Sequence, residues 1–282
     1  MTLTGSAQIT GVIGWPVAHS WSPKVHGFWL DEFGINGAYI PMAVRPDVLA
    51  LALSALPALG IRGVNITIPH KEKALEIVDE ADDLARKIGA VNTISVEKNG
   101  QLLGTNTDAY GFIQNLRSNA QQWSVLKPAL VLGAGGASRA VCAALIDADV
   151  PEVRVCNRTF SRAETLAGDL AGPITAIDWF DRVQASTDVG LLVNTTNLGM
   201  VGQTALDMPL TKLPPSAVVT DIVYSPLITP LLENARKRGN VVVDGLGMLL
   251  HQAEPGFAEW YGRIPKVSAA LRDYVLGQEN GS

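Results

Sequence analysis

Residues 128–140 read Pro-Ala-Leu-Val-Leu-Gly-Ala-Gly-Gly-Ala-Ser-Arg-Ala, and the fold of the whole chain turns on them. Four apolar residues, 129–132, run into Gly133-Ala134-Gly135-Gly136-Ala137-Ser138, and an apolar helical pattern of Val141, Ala144 and Leu145 follows. Strand, glycine turn and helix in this order suit a dinucleotide. The first glycine permits a tight turn, the second lets backbone approach a pyrophosphate, and small Ser138 stands where a third glycine or alanine would let helix pack on strand. The free N–H groups and positive end of the helix then face the phosphates. Taken alone, the same residues also suit an ordinary strand-to-helix turn, so the next strand has to decide.

That strand is expected at 151–156, an alternating apolar run that stops at Asn157-Arg158-Thr159. No acid stands there to accept from a ribose 2′-hydroxyl. Arg158 and Arg162, with Thr159 and Ser161, offer positive charge and donors suited to a 2′-phosphate, so the turn reads as an NADP site rather than an NAD site. A pair of solvated arginines opening a helix is the structural alternative, and it predicts no cofactor discrimination.

The rest of the chain agrees with a compact enzyme. At 282 residues, 47% of them hydrophobic, it has the length of about two domains. Net charge is −5, with no basic block, which argues against nucleic acid or an anionic membrane as partner. Cys142 and Cys156 have no Cys-x-x-Cys spacing and read as buried apolar residues. The first eight residues lack the basic region and apolar core of a signal peptide. The greasiest stretch, 48–59, is broken by Ser54 and Pro57 and falls short of the ~20 residues a membrane span needs. A soluble cytoplasmic enzyme is the expectation, with a metal site disfavoured at His19 and His26, seven residues apart and without further ligands.

Before the glycine turn, a strand at 9–13 ends in the loop Gly14-Trp-Pro-Val-Ala-His-Ser20-Trp-Ser22-Pro23, where open α/β sheets place ligands. Ser20 and Ser22 could donate to a carboxylate, and Ser22-Pro23 also fits a helix N-cap with proline behind it. A strand at 39–43 and a helix at 45–59 precede Gly63-Val-Asn-Ile-Thr67-Ile-Pro-His70-Lys71, with Val64, Ile66 and Ile68 expected on one face. Lys71 opens the next helix, where the macrodipole favours anions, and that misfit hints at a function. A single amphipathic helix is expected over 71–87, then a strand carrying Asn92 and Thr93, and a two-residue Asn99-Gly100 hairpin. Asp108 fits either an N-cap or a carboxylate paired with Lys71. Beyond the second strand of the glycine unit, apolar strands at 174–179, 189–193, 218–223 and 241–244 alternate with helices, which predicts a parallel sheet covered on both faces. Glycines at 245 and 247 open a long helix, and this helix and another at 267–276 are expected to return to the first domain.

Taken together, the stretches at 14–23, 63–71, 89–93, 106–111, 133–138, 157–159, Tyr224 and 245–252 resemble the shikimate dehydrogenases, over almost the full chain. The resemblance implies a two-domain α/β fold, with an N-terminal substrate domain formed by 1–109 and 246–282 and a Rossmann-type doubly wound NADP domain formed by 110–245. It implies reversible reduction of 3-dehydroshikimate to shikimate by NADPH. It gives Ser20, Ser22 and Tyr224 to the substrate carboxylate, Thr67, Asn92 and Gln252 to the ring hydroxyls, and Lys71 with Asp108 to the chemistry. Gly133, Ala134, Gly135, Gly136, Ala137, Asn157, Arg158, Thr159, Arg162 and Gly245 fall to the cofactor. The chain departs from the family's usual pattern at Gly27, where Asn is common, and at Asn197, where Ser is usual. A broader shikimate/quinate dehydrogenase and a non-catalytic NADP-binding sensor remain as alternatives, with the assembly a monomer or homodimer. The apparent hinges, at 108–112 and 244–247, suggest closure over substrate.

Overall fold

A computed structural model describes residues 3–277 of the chain. It divides into two compact units, one running through Thr107 and resuming at Leu250, the other spanning Asp108–Leu249.

The first unit follows the order β1 (Gln8–Gly14), α1 (Ser22–Glu32), β2 (Gly37–Ala43), α2 (Leu49–Ala55), β3 (Ile61–Ile66), α3 (Lys71–Ile77), β4 (Glu80–Ala81), α4 (Asp83–Ile88), β5 (Thr93–Val96) and β6 (Leu102–Thr105). Its sheet has the strand order β2-β1-β3-β5-β6-β4. β1 is parallel to β2 and β3, whereas β5 runs antiparallel to both β3 and β6.

Four local expectations change here, the first because partners distant in sequence outweigh the local pattern and the others for reasons closer at hand. The single helix over 71–87 is two helices with an edge strand between them. Asp79 donates its N–H to Leu102 O and accepts from Leu102 N–H on its carboxylate, Asp82 N–H donates to Gly104 O, and the captured segment ends where the Asp82 side chain caps α4 by accepting from Ala85 N–H. The Asn99-Gly100 hairpin has three loop residues, not two. Glu97 and Gln101 pair across it, Gly100 N–H donates back to Glu97 O, and Gly100 sits at φ +88, the left-handed position of a type I turn with a bulge. The helix expected over 45–59 is a helical turn at Pro46–Val48 followed by α2, which stops short of Pro57 because proline has no N–H to continue the ladder. Strand β3 stops at Ile66, so Ile68 is 75% exposed rather than on the buried face.

Helix α1 also starts one residue from where its sequence suggests: Trp21 is the N-cap, Ser22 the first helical residue and Pro23 the second. Its buried side carries Val25, His26, Trp29 and Leu30. Against it pack helices α9 (Leu246–Tyr261), from Leu250 onward, and α10 (Ala269–Leu276). The indole of Trp260 donates to Ile94 O, that of Trp29 to Lys266 O, and the Arg62 guanidinium to Trp260 O.

His26 is the anomaly in this core. It is fully buried, stacks on the Tyr39 ring at 4.0 Å with 5° between planes, and among the described residues neither ring nitrogen has a hydrogen-bond partner. Burial lowers its pKa from 6.5 to about 3, with a smaller upward pull from Asn65. The unfolded chain therefore holds one more proton than the folded chain between these values, and stability falls as pH drops below the unfolded pKa. Buried Asp221, with a folded pKa of about 6 against 3.8, acts in the opposite direction over its own window. Because Asp221 is common to both chains, comparing wild type with His26→Phe isolates the histidine. Between pH 7 and pH 5 the variant is expected to gain about 2 kcal/mol relative to wild type, measured by urea unfolding at both pH values. Parallel losses in the two chains would mean that His26 is not held neutral.

The second unit comprises α5 (Asp108–Asn119), β7 (Ala129–Leu132), α6 (Gly136–Asp147), β8 (Val153–Asn157), α7 (Phe160–Leu170), β9 (Ile174–Asp178), β10 (Leu191–Asn194), β11 (Val218–Asp221), α8 (Pro230–Lys237), β12 (Val241–Val243) and the first residues of α9. All six strands are parallel in the order β12-β11-β10-β7-β8-β9. This is the doubly wound parallel sheet that the alternating apolar strands imply. β7 and β10 are completely buried, as strands with helices on both faces must be. Among the described residues, no helix is long and apolar enough to cross a membrane.

Candidate active site and cofactor groove

In the second unit the chain order reverses between β7 and β10, and at such a switch point the loops leave the strands in opposite directions and open a crevice at their carboxyl ends. A groove of about 230 Å³ lies there. Its walls include Gly133, Ala134 and Gly135 after β7, Asn157, Arg158 and Arg162 after β8, Trp179 after β9 and residues 195–198 after β10.

The glycines of the turn have different jobs. A Cβ on Gly133, which has φ +114, would lie 2.7 Å from Thr195 Oγ1 and 3.0 Å from Ser138 Oγ, so the protein itself requires glycine there. A Cβ on Gly135 or Gly136 would meet nothing within 4 Å. Packing does not demand those two glycines, whereas close approach of a ligand would. Ser138, completely buried in α6, closes the turn. Thr195 Oγ1 donates its one proton to Leu132 O at 2.7 Å, so in the 2.5 Å contact with Ser138 it must accept, and Ser138 in turn accepts from Gly135 N–H at 3.2 Å. The hydroxyl at the third position therefore ties the turn to β10.

At the end of β8, Asn157 Nδ2 donates to Thr159 O, which shapes the step into α7, and Thr159 is the N-cap of that helix. Among the described residues, neither Arg158 nor Arg162 pairs with a carboxylate. Two guanidinium groups beside a glycine turn, with no acid at the strand's end, fit a phosphate-bearing ribose. The fold and this groove fit a dinucleotide bearing a 2′-phosphate. Gly136, Ala137, Thr159 and Gly245 do not line the groove. At Gly245 a Cβ would lie 2.3 Å from Ile222 O, so internal packing already demands a glycine. Trp179 and Thr195–Thr196 are groove residues that sequence reasoning missed. Trp179 sits under the Arg182 guanidinium, 4.8 Å from its ring centroid, and Arg182 is itself anchored on Asp207. Asn197, one of the two departures from the usual pattern, lines the groove, whereas at Gly27 in α1 an added Cβ would meet nothing within 4 Å.

In the first unit, Ser20 and Ser22 stand together at the start of α1, with Ser22 N–H donating to Ser20 Oγ at 3.3 Å. Thr67 follows β3 directly, its N–H bonded to Ile13 O, and its methyl fills the space that a Cβ on Gly14 would need. Lys71 is the first residue of α3, and its carbonyl accepts from Val91 N–H, which links it to the approach to β5. The preceding residue, His70, is buried and bonded through Nε2 to Val44 O at 2.7 Å.

Asn92 is 3% exposed and almost fully committed. Its Oδ1 accepts from Thr107 N–H at 2.8 Å and its Nδ2 donates to Thr107 Oγ1 at 3.0 Å and, at 3.5 Å, to Gln252 Oε1. Two residues assigned to one ligand therefore do adjoin each other. Behind them runs a buried chain that sequence reasoning did not find: Tyr39 Oη donates to Asn65 Oδ1 at 2.6 Å, and Asn65 Nδ2 donates to Thr93 Oγ1 at 3.0 Å. Asp108, 2% exposed, is the first residue of α5 in the second unit, where the helix dipole favours its charge. Tyr224 lies three residues past the end of β11, and burial raises its pKa. No cluster among the described residues could hold a metal ion.

A parallel six-stranded sheet, a glycine turn at its switch point and a groove with free guanidinium groups define a Rossmann-type dinucleotide-binding protein joined to a second α/β unit. Residues 12–94 match the family described as the shikimate dehydrogenase substrate binding domain, and residues 116–246 match shikimate / quinate 5-dehydrogenase. The chain belongs to the shikimate dehydrogenase family. It is 56% identical over 275 residues to the shikimate dehydrogenase (NADP(+)) of Paramagnetospirillum magneticum, covering 97% of this chain and 100% of that one. The shikimate 5-dehydrogenase of Thermus thermophilus, solved with NADP(H) and shikimate, is similar at a TM-score of 0.87 and 36% identity, covering 96% of this chain and 100% of that one. A quinate dehydrogenase of Corynebacterium glutamicum, solved with NAD, is similar at a TM-score of 0.90 and 29% identity, covering 96% of this chain and 99% of that one.

Proposed function

We propose that this chain is an NADP-dependent shikimate dehydrogenase that reversibly reduces 3-dehydroshikimate to shikimate. The observation that carries the reading is the groove beside the glycine turn, where Arg158 and Arg162 stand without carboxylate partners among the described residues and β8 ends on Asn157 rather than an acid. Residues 133–137, 157–159, Arg162 and Gly245 form the cofactor set, Gly245 through its effect on backbone packing. When bound, NADPH supplies the hydride for the carbonyl carbon. The carbonyl oxygen then needs a proton, and Lys71 donates it from its ammonium. Asp108 holds that ammonium by charge and accepts from the neighbouring hydroxyl. In the oxidative direction neutral Lys71 takes the hydroxyl proton back.

Ser20, Ser22 and Tyr224 donate to the substrate carboxylate, and Thr67, Asn92 and Gln252 orient the ring hydroxyls. The locked Asn92–Thr107 pair supports that role, since a fixed amide recognises a hydroxyl without paying to order itself. The proposal assigns the enzyme to the cytoplasm, as a monomer or homodimer, in keeping with two buried, unpaired cysteines.

The test is the nicotinamide absorbance of NADPH, followed with 3-dehydroshikimate and, in the reverse direction, with shikimate or quinate and either NADP or NAD. Turnover with shikimate and NADP well above that with quinate or NAD is expected. Faster turnover of quinate would move the substrate assignment to the quinate branch of the family, and no turnover with any pair would leave a cofactor-binding sensor.

A further inference from the structure

Asp221 ends β11 and is completely buried, yet among the described residues no cation pairs with it. A carboxylate kept there without a counter-charge is costly unless its oxygens are well used. They are. Oδ1 accepts from Asn194 Nδ2 at 2.9 Å and from Val223 N–H at 3.0 Å, and Oδ2 accepts from Thr229 Oγ1 at 2.7 Å. The three donors belong to three segments: the end of β10, the loop that leads into Tyr224, and the N-cap of α8.

Asn194 carries the arrangement into the cofactor groove. Its Oδ1 accepts from Thr196 N–H at 3.0 Å and Thr196 Oγ1 at 2.7 Å, and its Nδ2 also donates to Leu198 O at 3.2 Å. Those bonds shape residues 195–198, which line the groove. Backbone bonds run between the same two loops, from Ile222 N–H to Asn194 O and from Val201 N–H to Ser225 O.

We propose that Asp221 is a positioning residue, holding the groove loop at 195–198 and the Tyr224 loop in a single arrangement through Asn194, Val223 and Thr229. An amide replaces it poorly: with its one oxygen kept on Asn194 and Val223 it turns an NH2 group towards Thr229, whose hydroxyl then loses the acceptor of its proton and has to accept instead while already accepting from Leu232 N–H. The Tyr224 half of the inference rests on the proposed role of Tyr224 in substrate binding, whereas the groove half does not.

The experiment measures NADP+ dissociation constants by equilibrium titration, together with KM and kcat for shikimate, in D221N, D221A and Y224F. Asp221→Asn keeps the shape, so it decides the matter if Asp221→Ala does not fold. In both Asp221 variants the NADP+ dissociation constant and the shikimate KM are expected to rise together by about 10-fold, more in the alanine variant, with kcat changed less. A purely structural role would lower melting temperature and active fraction and leave both constants alone, and that result in a folded variant overturns the proposal. A rise in the NADP+ constant alone, while Y224F raises shikimate KM, overturns the claim that one carboxylate holds both loops. If Y224F leaves shikimate KM unchanged, the reading of Tyr224 fails, and the NADP+ titration still decides the role of Asp221.

Discussion

Replacing Lys71 by alanine is expected to lower kcat by about 10²- to 10⁴-fold, the range a positioned general acid supplies. NADP+ affinity should stay close to wild type, because the groove that would hold the cofactor is built wholly within the second unit and Lys71 belongs to the first. The split separates the proton from the hydride. A variant that had lost its fold would lose both binding and turnover, whereas one that lacks only a proton donor keeps the cofactor and stalls. Arginine at the same position should not rescue the rate, since a guanidinium keeps its proton at any working pH and cannot alternate between donor and acceptor. Stopped-flow or steady-state rates with 3-dehydroshikimate and NADPH, read beside a fluorescence titration of NADP+, test this. An alanine variant turning over at near the wild-type rate would remove Lys71 from the chemistry.

Lys71 is legible in the sequence because its misfit is local. A lysine at the first position of a helix opposes the helix dipole, and such a local misfit is visible without coordinates. The glycine turn is equally local: β7 spans Ala129–Leu132 and α6 starts at Gly136, because apolar run, turn residues and helical period all lie within one short window. The parallel sheet follows from strands that are apolar throughout.

What was not legible depends on partners far along the chain. Residues 79–82 have a helical period, and only the exposed edge of β6, some twenty residues on, converts them into a strand. The chain from Tyr39 through Asn65 to Thr93 joins three strands at separations that no local pattern reports. Trp179 and Thr195 reach the groove through the strand order of the sheet, which sets β10 beside β7 and β9 beside β8, so that loops far from the glycine turn in sequence share one groove with it. His26 shows the same limit differently. Seven residues from His19, it invites a question about metal, and its actual environment, stacked on Tyr39 and enclosed by Trp29, Phe257 and Trp260, comes from elements spread over the whole first unit.

Arg158→Ala should raise KM for NADP by about 10- to 100-fold, the worth of one or two charge-assisted hydrogen bonds at 1.4 kcal/mol per decade, and leave KM for NAD nearly unchanged. The asymmetry follows from which ligand atom the guanidinium meets. NAD has a neutral 2′-hydroxyl where NADP has a phosphate, so removal of a cation at the end of β8 deprives only NADP of a partner. Asn157 at that end neither repels the phosphate nor accepts as strongly as a carboxylate from the hydroxyl, so on the proposed reading the preference for NADP rests chiefly on the arginines. Arg162, four residues on in the first turn of α7 and also on the groove wall, should contribute in the same direction, so the double variant is expected to lose most of the discrimination. Raising the salt concentration should weaken NADP binding in wild type more than in the Arg158 variant, because an exposed guanidinium-phosphate contact is screened. Equal losses on both cofactors would assign Arg158 to a part that NAD and NADP share, and the 2′-phosphate reading of this turn would have to be given up.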